Sequence, residues 1–225
     1  MSTQESTCWT VIAAAAEGCA AQCAAFVQRY QPVIRAYLAA RWRNTPYLQD
    51  LDDAVQEVFV ACFQRDGLLA RAQRARPGGF RAFLYGVVRN VARHLEARRS
   101  RDRQAADDVD LNQVPADEES QARLFDRAWA RSLLREAARR QEDHARRTGA
   151  AALRRVELLR LRFHDGLTIR AIAARWQIEA ATLHHDYAKA RQEFKTALAE
   201  VVGFHHPGTA AEIERECVNL LSLLG

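Results

Sequence analysis

Strand-like alternation of apolar and polar residues is missing from this chain. That excludes a sheet-based fold. No apolar run is long enough to span a bilayer. The Ala-rich stretch Val11–Val27 lacks a basic start and is broken by Glu17 and Gln22, so it is not read as a secretory signal. The expectation is a soluble, cytoplasmic chain with no membrane partner. Cysteines number five, at irregular spacing, and imply no disulfide framework. Cys19 and Cys23 lie one helical turn apart and could share a metal. No histidine or further cysteine follows at finger spacing, which favours core roles and no metal. A Gly-rich phosphate loop and a nucleophile elbow are also absent. His184-His185-Asp186 could suggest a metal phosphohydrolase. Adjacent residues on one helix point about 100° apart, so His184 and His185 cannot both face one ion well. The expectation is no enzyme, with no catalytic residues and no cofactor.

What the chain does have is helical period and uneven charge. Its 225 residues are 48% apolar, enough for one or two small cores. The net charge is only +5. Residues 50–57 nevertheless carry four acids and no base, whereas residues 89–103 carry six arginines against Glu96 and Asp102. A local basic patch is the electrostatic footprint expected for nucleic acid, although a solvated helix face has the same composition.

Leu51, Val55, Val58, Phe59 and Cys62 recur at helical spacing and predict one buried stripe over residues 51–64. Asp52, Asp53, Gln56, Glu57 and Val60 fall on the opposite side. Phe80, Leu84, Val87, Val91 and Leu95 repeat the pattern over residues 80–97, after the turn Pro77-Gly78-Gly79. An earlier helix is expected over residues 22–41. Residues 101–119, rich in acids and poor in large apolar side chains, read as a linker. A second helical unit is expected from near Gln121. It closes with a helix from Thr168, a turn at Gln177-Ile178-Glu179, and a second helix from Ala180 to about Val201. Beyond Pro207-Gly208, Ile213, Cys217, Leu220, Leu221 and Leu224 form one stripe of an acidic amphipathic tail. That tail either packs as extra core or regulates what the preceding unit binds.

These segments together resemble a bacterial sigma factor of the extracytoplasmic-function type. Asp50-x-Asp52-Asp53-x-x-Gln56-Glu57-x-Phe59 resembles the family's segment that grips the β′ clamp of RNA polymerase. An acidic, amide-bearing face suits arginines on a partner. Phe80-Arg81-Ala-Phe83-Leu-Tyr85-Gly-Val-Val-Arg89-Asn90-Val-Ala resembles the melting and minus-ten helix. Arg81, Tyr85, Arg89 and Arg93 share a stripe there, with Asn90, His94 and Arg98 beside it. The loop containing Arg74 and Arg76 stands where the family holds a flipped base. Thr7–Ile12, Leu68–Ala72 and the tail are similar to longer sigma factors of planctomycete-like bacteria.

The resemblance implies an all-α chain of two small helical domains. A region-2-like bundle would cover residues 1–100, with a polar linker over 101–119. A region-4-like helix-turn-helix domain would cover 120–203, and a C-terminal amphipathic extension 204–225. It implies core RNA polymerase, through its β′ clamp and β flap, and promoter DNA as partners, and leaves room for an anti-sigma factor. Thr182, His184, His185, Lys189 and Arg191 are the implied minus-thirty-five contacts. Here the chain departs from the family, since His184 and Asp186 stand where relatives carry Lys or Arg. Residues 177–202 hold three bases and four acids. A stand-alone helix-turn-helix regulator is the alternative. It leaves the acidic face and the basic helix without a joint purpose.

Overall fold

The computed structural model describes residues 7–64, 67–73, 78–104 and 117–224, with the backbone alone for 102–104. Among the described residues every regular element is helical, in keeping with the all-α expectation. The α-helices are α1 (Cys8–Ala16), α2 (Ala20–Arg41), α3 (Leu51–Phe63), α4 (Gly79–Gln104), α5 (Glu118–Thr148), α6 (Ala150–Phe163), α7 (Ile169–Trp176), α8 (Ala180–His205) and α9 (Ala210–Ser222). Short 3₁₀ turns occupy Pro46–Asp50 and Leu68–Arg71. None of the described helices is long and apolar enough to cross a membrane. Two compact units emerge. The first holds the chain up to Ser132, Phe204–Pro207 and the residues from Asn219 on, and the second holds Leu133–Gly203 and Gly208–Val218.

The first unit is built on aromatic residues. Phe26, Tyr30, Ile34, Tyr37 and Leu38 recur on one side of α2 and are buried. Val55, Val58, Phe59 and Cys62 of α3 and Phe80, Leu84, Val87, Val91 and Leu95 of α4 are buried as their spacing predicts. Leu51 is half-buried. The Phe80 ring lies 5.9 Å from Phe26 and 4.9 Å from Tyr30. Burying each such ring stabilises the fold by about 1.5–3 kcal/mol. Pro32 sits inside α2 on its exposed side, where the forfeited backbone bond does least harm.

A polar clamp holds α2 to α4. Arg41 Nε and Nη2 donate to Glu96 at 2.7 and 2.8 Å, and Trp42 Nε1 donates to the same carboxylate at 2.7 Å. Arg41 is only 8% exposed, so removing its partner would strand a buried charge and cost more than breaking a surface pair. Burial opposes the Arg41 charge, but the hydrogen bond to Glu96 and the nearby Tyr37 oxygen outweigh it, and its pKa is raised. Burial pushes the Tyr37 phenol up to about 12 and the Cys62 thiol up to about 12.

The second unit has its own core. Leu158 and Leu161 of α6 pack with Ile169, Ile172 and Ala173 of α7 and Leu183 of α8, and Trp176 and Tyr187 lie against them. Thr168 starts α7 by accepting from the Ala171 amide at 3.2 Å. Gln177 ends it in the left-handed region at φ +55°, and the Ile178 amide returns to the Ala173 carbonyl at 3.0 Å. Arg155 of α6 repeats the clamp. Its Nε and Nη2 reach Glu193 of α8 at 3.0 and 2.6 Å. Thr209 and Glu212 cap α9 reciprocally, with the Thr209 amide donating to Glu212 at 2.7 Å. Of the tail stripe, Cys217 and Leu220 are buried, Ile213 and Leu224 half-buried, and Leu221 is 50% exposed. The next residue on a helix turns about 100° away, and Leu221 points off the side that Leu220 buries.

Candidate functional site

Three surfaces gather the candidate residues. The first is the outer face of α3. Burial of Val55, Val58 and Phe59 turns Asp52, Asp53, Gln56 and Glu57 to solvent on successive turns. Val60 is 55% exposed beside them. A groove of about 630 Å³ runs along this face, with Val27, Val55, Phe59 and Phe63 as its apolar part and Gln31, Asp52, Gln56 and Gln64 at its polar positions. Asp52 pairs with Arg35 of α2. Asp50 does not share the face. It closes the 3₁₀ turn before α3 and pairs with Arg99 of α4. The surface thus offers acids and amides around the exposed Val60 and the half-buried Val27 and Phe63, a chemistry suited to a basic, partly apolar partner.

The second surface belongs to α4. Asn90, Arg93, His94 and Arg98 are exposed, and the Asn90 carbonyl accepts from His94 Nδ1 at 2.7 Å. Arg81, Tyr85 and Arg89 are half-buried instead. The start of α5 accounts for the difference. Glu118 lies 3.0 Å from Arg89 and 3.9 Å from Arg93, and Asp126 lies 3.5 Å from Arg81. Between those carboxylates the Phe125 ring stands 5.3 Å from the Tyr85 ring. Phe83 is buried and belongs to the core. Arg74 and Arg76 lie outside the described residues.

On α8 the third surface exposes Thr182, His184, His185, Lys189 and Arg191 together. The Arg191 guanidinium stands 5.7 Å over the Tyr187 ring, and Phe163, 70% exposed, is 6.5 Å from the same ring. Asp186 draws in Arg154 of α6, whose Nη2 donates to it at 2.9 Å. The glutamate partner of Arg155 raises that guanidinium's pKa and keeps the clamp charged.

Several contributors escape a reading of the sequence. Glu118 falls in a stretch that reads as linker, yet it opens α5 and reaches the α4 arginines. Asp126 and Arg154 sit in unremarkable helical segments. Only the capping signal at Asp117, whose side chain accepts from the Glu119 and Ser120 amides at 3.2 and 3.1 Å, could have moved the helix start forward. The Ser120 hydroxyl holds the Asp117 carboxyl below its ordinary value.

Residues 26–104 match the family described as Sigma-70 region 2. The matched segment covers about a third of the chain and contains most of α2, all of α3 and all of α4. Such a match supports a sigma factor family member and indicates a role in RNA polymerase binding and promoter melting. No curated protein matches the chain.

Proposed function

We propose that this chain is a sigma factor of the extracytoplasmic-function type, in the branch similar to longer planctomycete-like members. It binds core RNA polymerase in the cytoplasm, selects promoters and helps open them. It performs no catalysis of its own. The carrying observation is the exposed face of α3 inside the matched segment, where Asp52, Asp53, Gln56 and Glu57 leave the core side entirely to apolar residues. Asp53, Gln56 and Glu57 then engage basic groups of the β′ clamp through charge-assisted hydrogen bonds. The exposed cations of α4 hold strand phosphates, and Tyr85 supplies a platform for an unstacked base. Thr182, His184, His185, Lys189 and Arg191 face the minus-thirty-five element, and the unit that carries them meets the β flap. A region-2-like domain within the first unit and a region-4-like domain within the second divide these tasks, and residues 120–132, expected in the latter, group with the first unit. An anti-sigma factor is compatible with the α3 surface, which would be its natural target.

The test is co-purification with core RNA polymerase. Losing one member of a buried interfacial charge pair costs about 2–5 kcal/mol. Asp53→Lys with Glu57→Lys should therefore abolish binding to core while the isolated protein stays helical by circular dichroism. Undiminished binding would remove the reading. A chain that binds promoter duplex as a dimer and ignores core would instead be a stand-alone regulator.

A further inference from the structure

We infer that the first turns of α5 are a built-in competitor seated on the nucleic-acid stripe of α4. This rests on the reading of α4 as the strand-binding helix and adds regulation of that same surface. Three observations converge on it.

First, α5 offers α4 the chemistry that a single strand would offer. Glu118 places a carboxylate 3.0 Å from Arg89, and Asp126 places another 3.5 Å from Arg81. Phe125 sets an aromatic ring 5.3 Å from Tyr85, tilted by 48°. Strand binding asks for anionic oxygens on the arginines and a flat ring on the tyrosine. Both places are already taken.

Second, the fit is incomplete. The Tyr85 hydroxyl and Arg89 Nε are buried, yet neither finds a hydrogen-bond partner among the described residues. A buried polar atom without a partner carries a desolvation penalty. Phosphate and base oxygens could satisfy both atoms, which the carboxylates of α5 do not.

Third, the Glu118 carboxylate is replaceable. Glu118 is 67% exposed, and exposed ion pairs are weak and sensitive to salt. A strand with a charge on every phosphate can exchange with it, whereas Asp126, 31% exposed, and the buried Phe125 yield only when the first turns of α5 lift. α4 therefore presents two layers of cations. Arg98 and most of Arg93 are open for first contact, Arg89 follows when Glu118 yields, and Arg81, with the Tyr85 ring beside it, becomes available only when Phe125 and Asp126 lift as well.

The experiment uses the full chain and a short fluorescein-labelled single-stranded DNA oligonucleotide, read by anisotropy. Glu118→Gln with Asp126→Asn keeps shape and removes the competing charge. This variant should bind about tenfold tighter than wild type, a shift of about 1.4 kcal/mol. In wild type, oligonucleotide should also speed hydrogen exchange of the amides from Glu118 to Trp129. Equal affinities together with unchanged exchange, while Arg93→Ala with Arg98→Ala still weakens binding, would overturn the competitor and leave α4 as the strand-binding helix. Binding indifferent to Arg93→Ala with Arg98→Ala in both backgrounds would overturn that reading, and the competitor with it.

Discussion

α4 and α8 are anchored alike and finished differently. Each carries a glutamate, Glu96 or Glu193, gripped by a nearly buried arginine from the helix two places earlier, Arg41 of α2 or Arg155 of α6. Their outward faces then diverge. α4 is rich in arginines, yet three of them, Arg81, Arg89 and Arg93, meet carboxylates of α5. α8 carries an unfavourable Asp186, yet that acid brings Arg154 to its side. Counting charge along one helix therefore overstates the free cations of α4 and overstates the free acid of α8. A surface is basic or acidic only after neighbouring helices have contributed their side chains.

α4 and α8 should differ most sharply at their clamps. Glu96→Ala strands Arg41 in a buried site and removes the Trp42 acceptor as well, so it should cost the first unit about 3–5 kcal/mol. Glu193→Ala should cost the second unit less, about 1–3 kcal/mol, because the Glu193 carboxylate is 25% exposed and water can replace part of it. Urea unfolding followed by hydrogen exchange would assign each loss to its unit. Equal losses would mean that the two clamps are not distinguished by burial.

Alkali should separate the units next. The Tyr37 phenol, packed beside the Arg41 clamp, is raised to about 12 in the fold against about 10 when unfolded. Its folded-state pKa is the higher one, so the fold favours the protonated form. The contribution is complete below pH about 10 and is lost as pH rises through about 12, a swing of roughly 3 kcal/mol. Tyrosinate absorbance and circular dichroism should show helix loss across that window, and Tyr37→Phe should blunt it. An identical alkaline limb in the variant would assign the effect elsewhere.

The smallest expected effect lies at the start of α7. Thr168→Ala removes the cap on a helix of only eight residues and should cost about 1 kcal/mol. Faster amide exchange confined to α7 would confirm it. Unchanged exchange would mean that the packing of Ile169 and Ile172 alone holds the helix start.

Local pattern carried much of this fold. The stripes of α3 and α4 are buried as their spacing predicts, because a helix with one apolar face has only one way to hide it. Thr168 and the turn Gln177–Glu179 were legible for a similar reason, since cap and turn chemistry acts within a few residues. The outward orientation of Asp53, Gln56 and Glu57 follows from that same constraint.

Partners distant in sequence were not legible, because no local rule specifies them. Asp50 and Asp52 look equivalent in the chain, but one meets Arg99 and the other Arg35. Nothing in residues 80–97 announces that Glu118 and Asp126 will return to α4, or that Phe125 will rest on Tyr85. Periodicity tells a helix which face to bury. Which acid then meets which exposed arginine is settled when the helices pack, since electrostatic partners are chosen by distance in space.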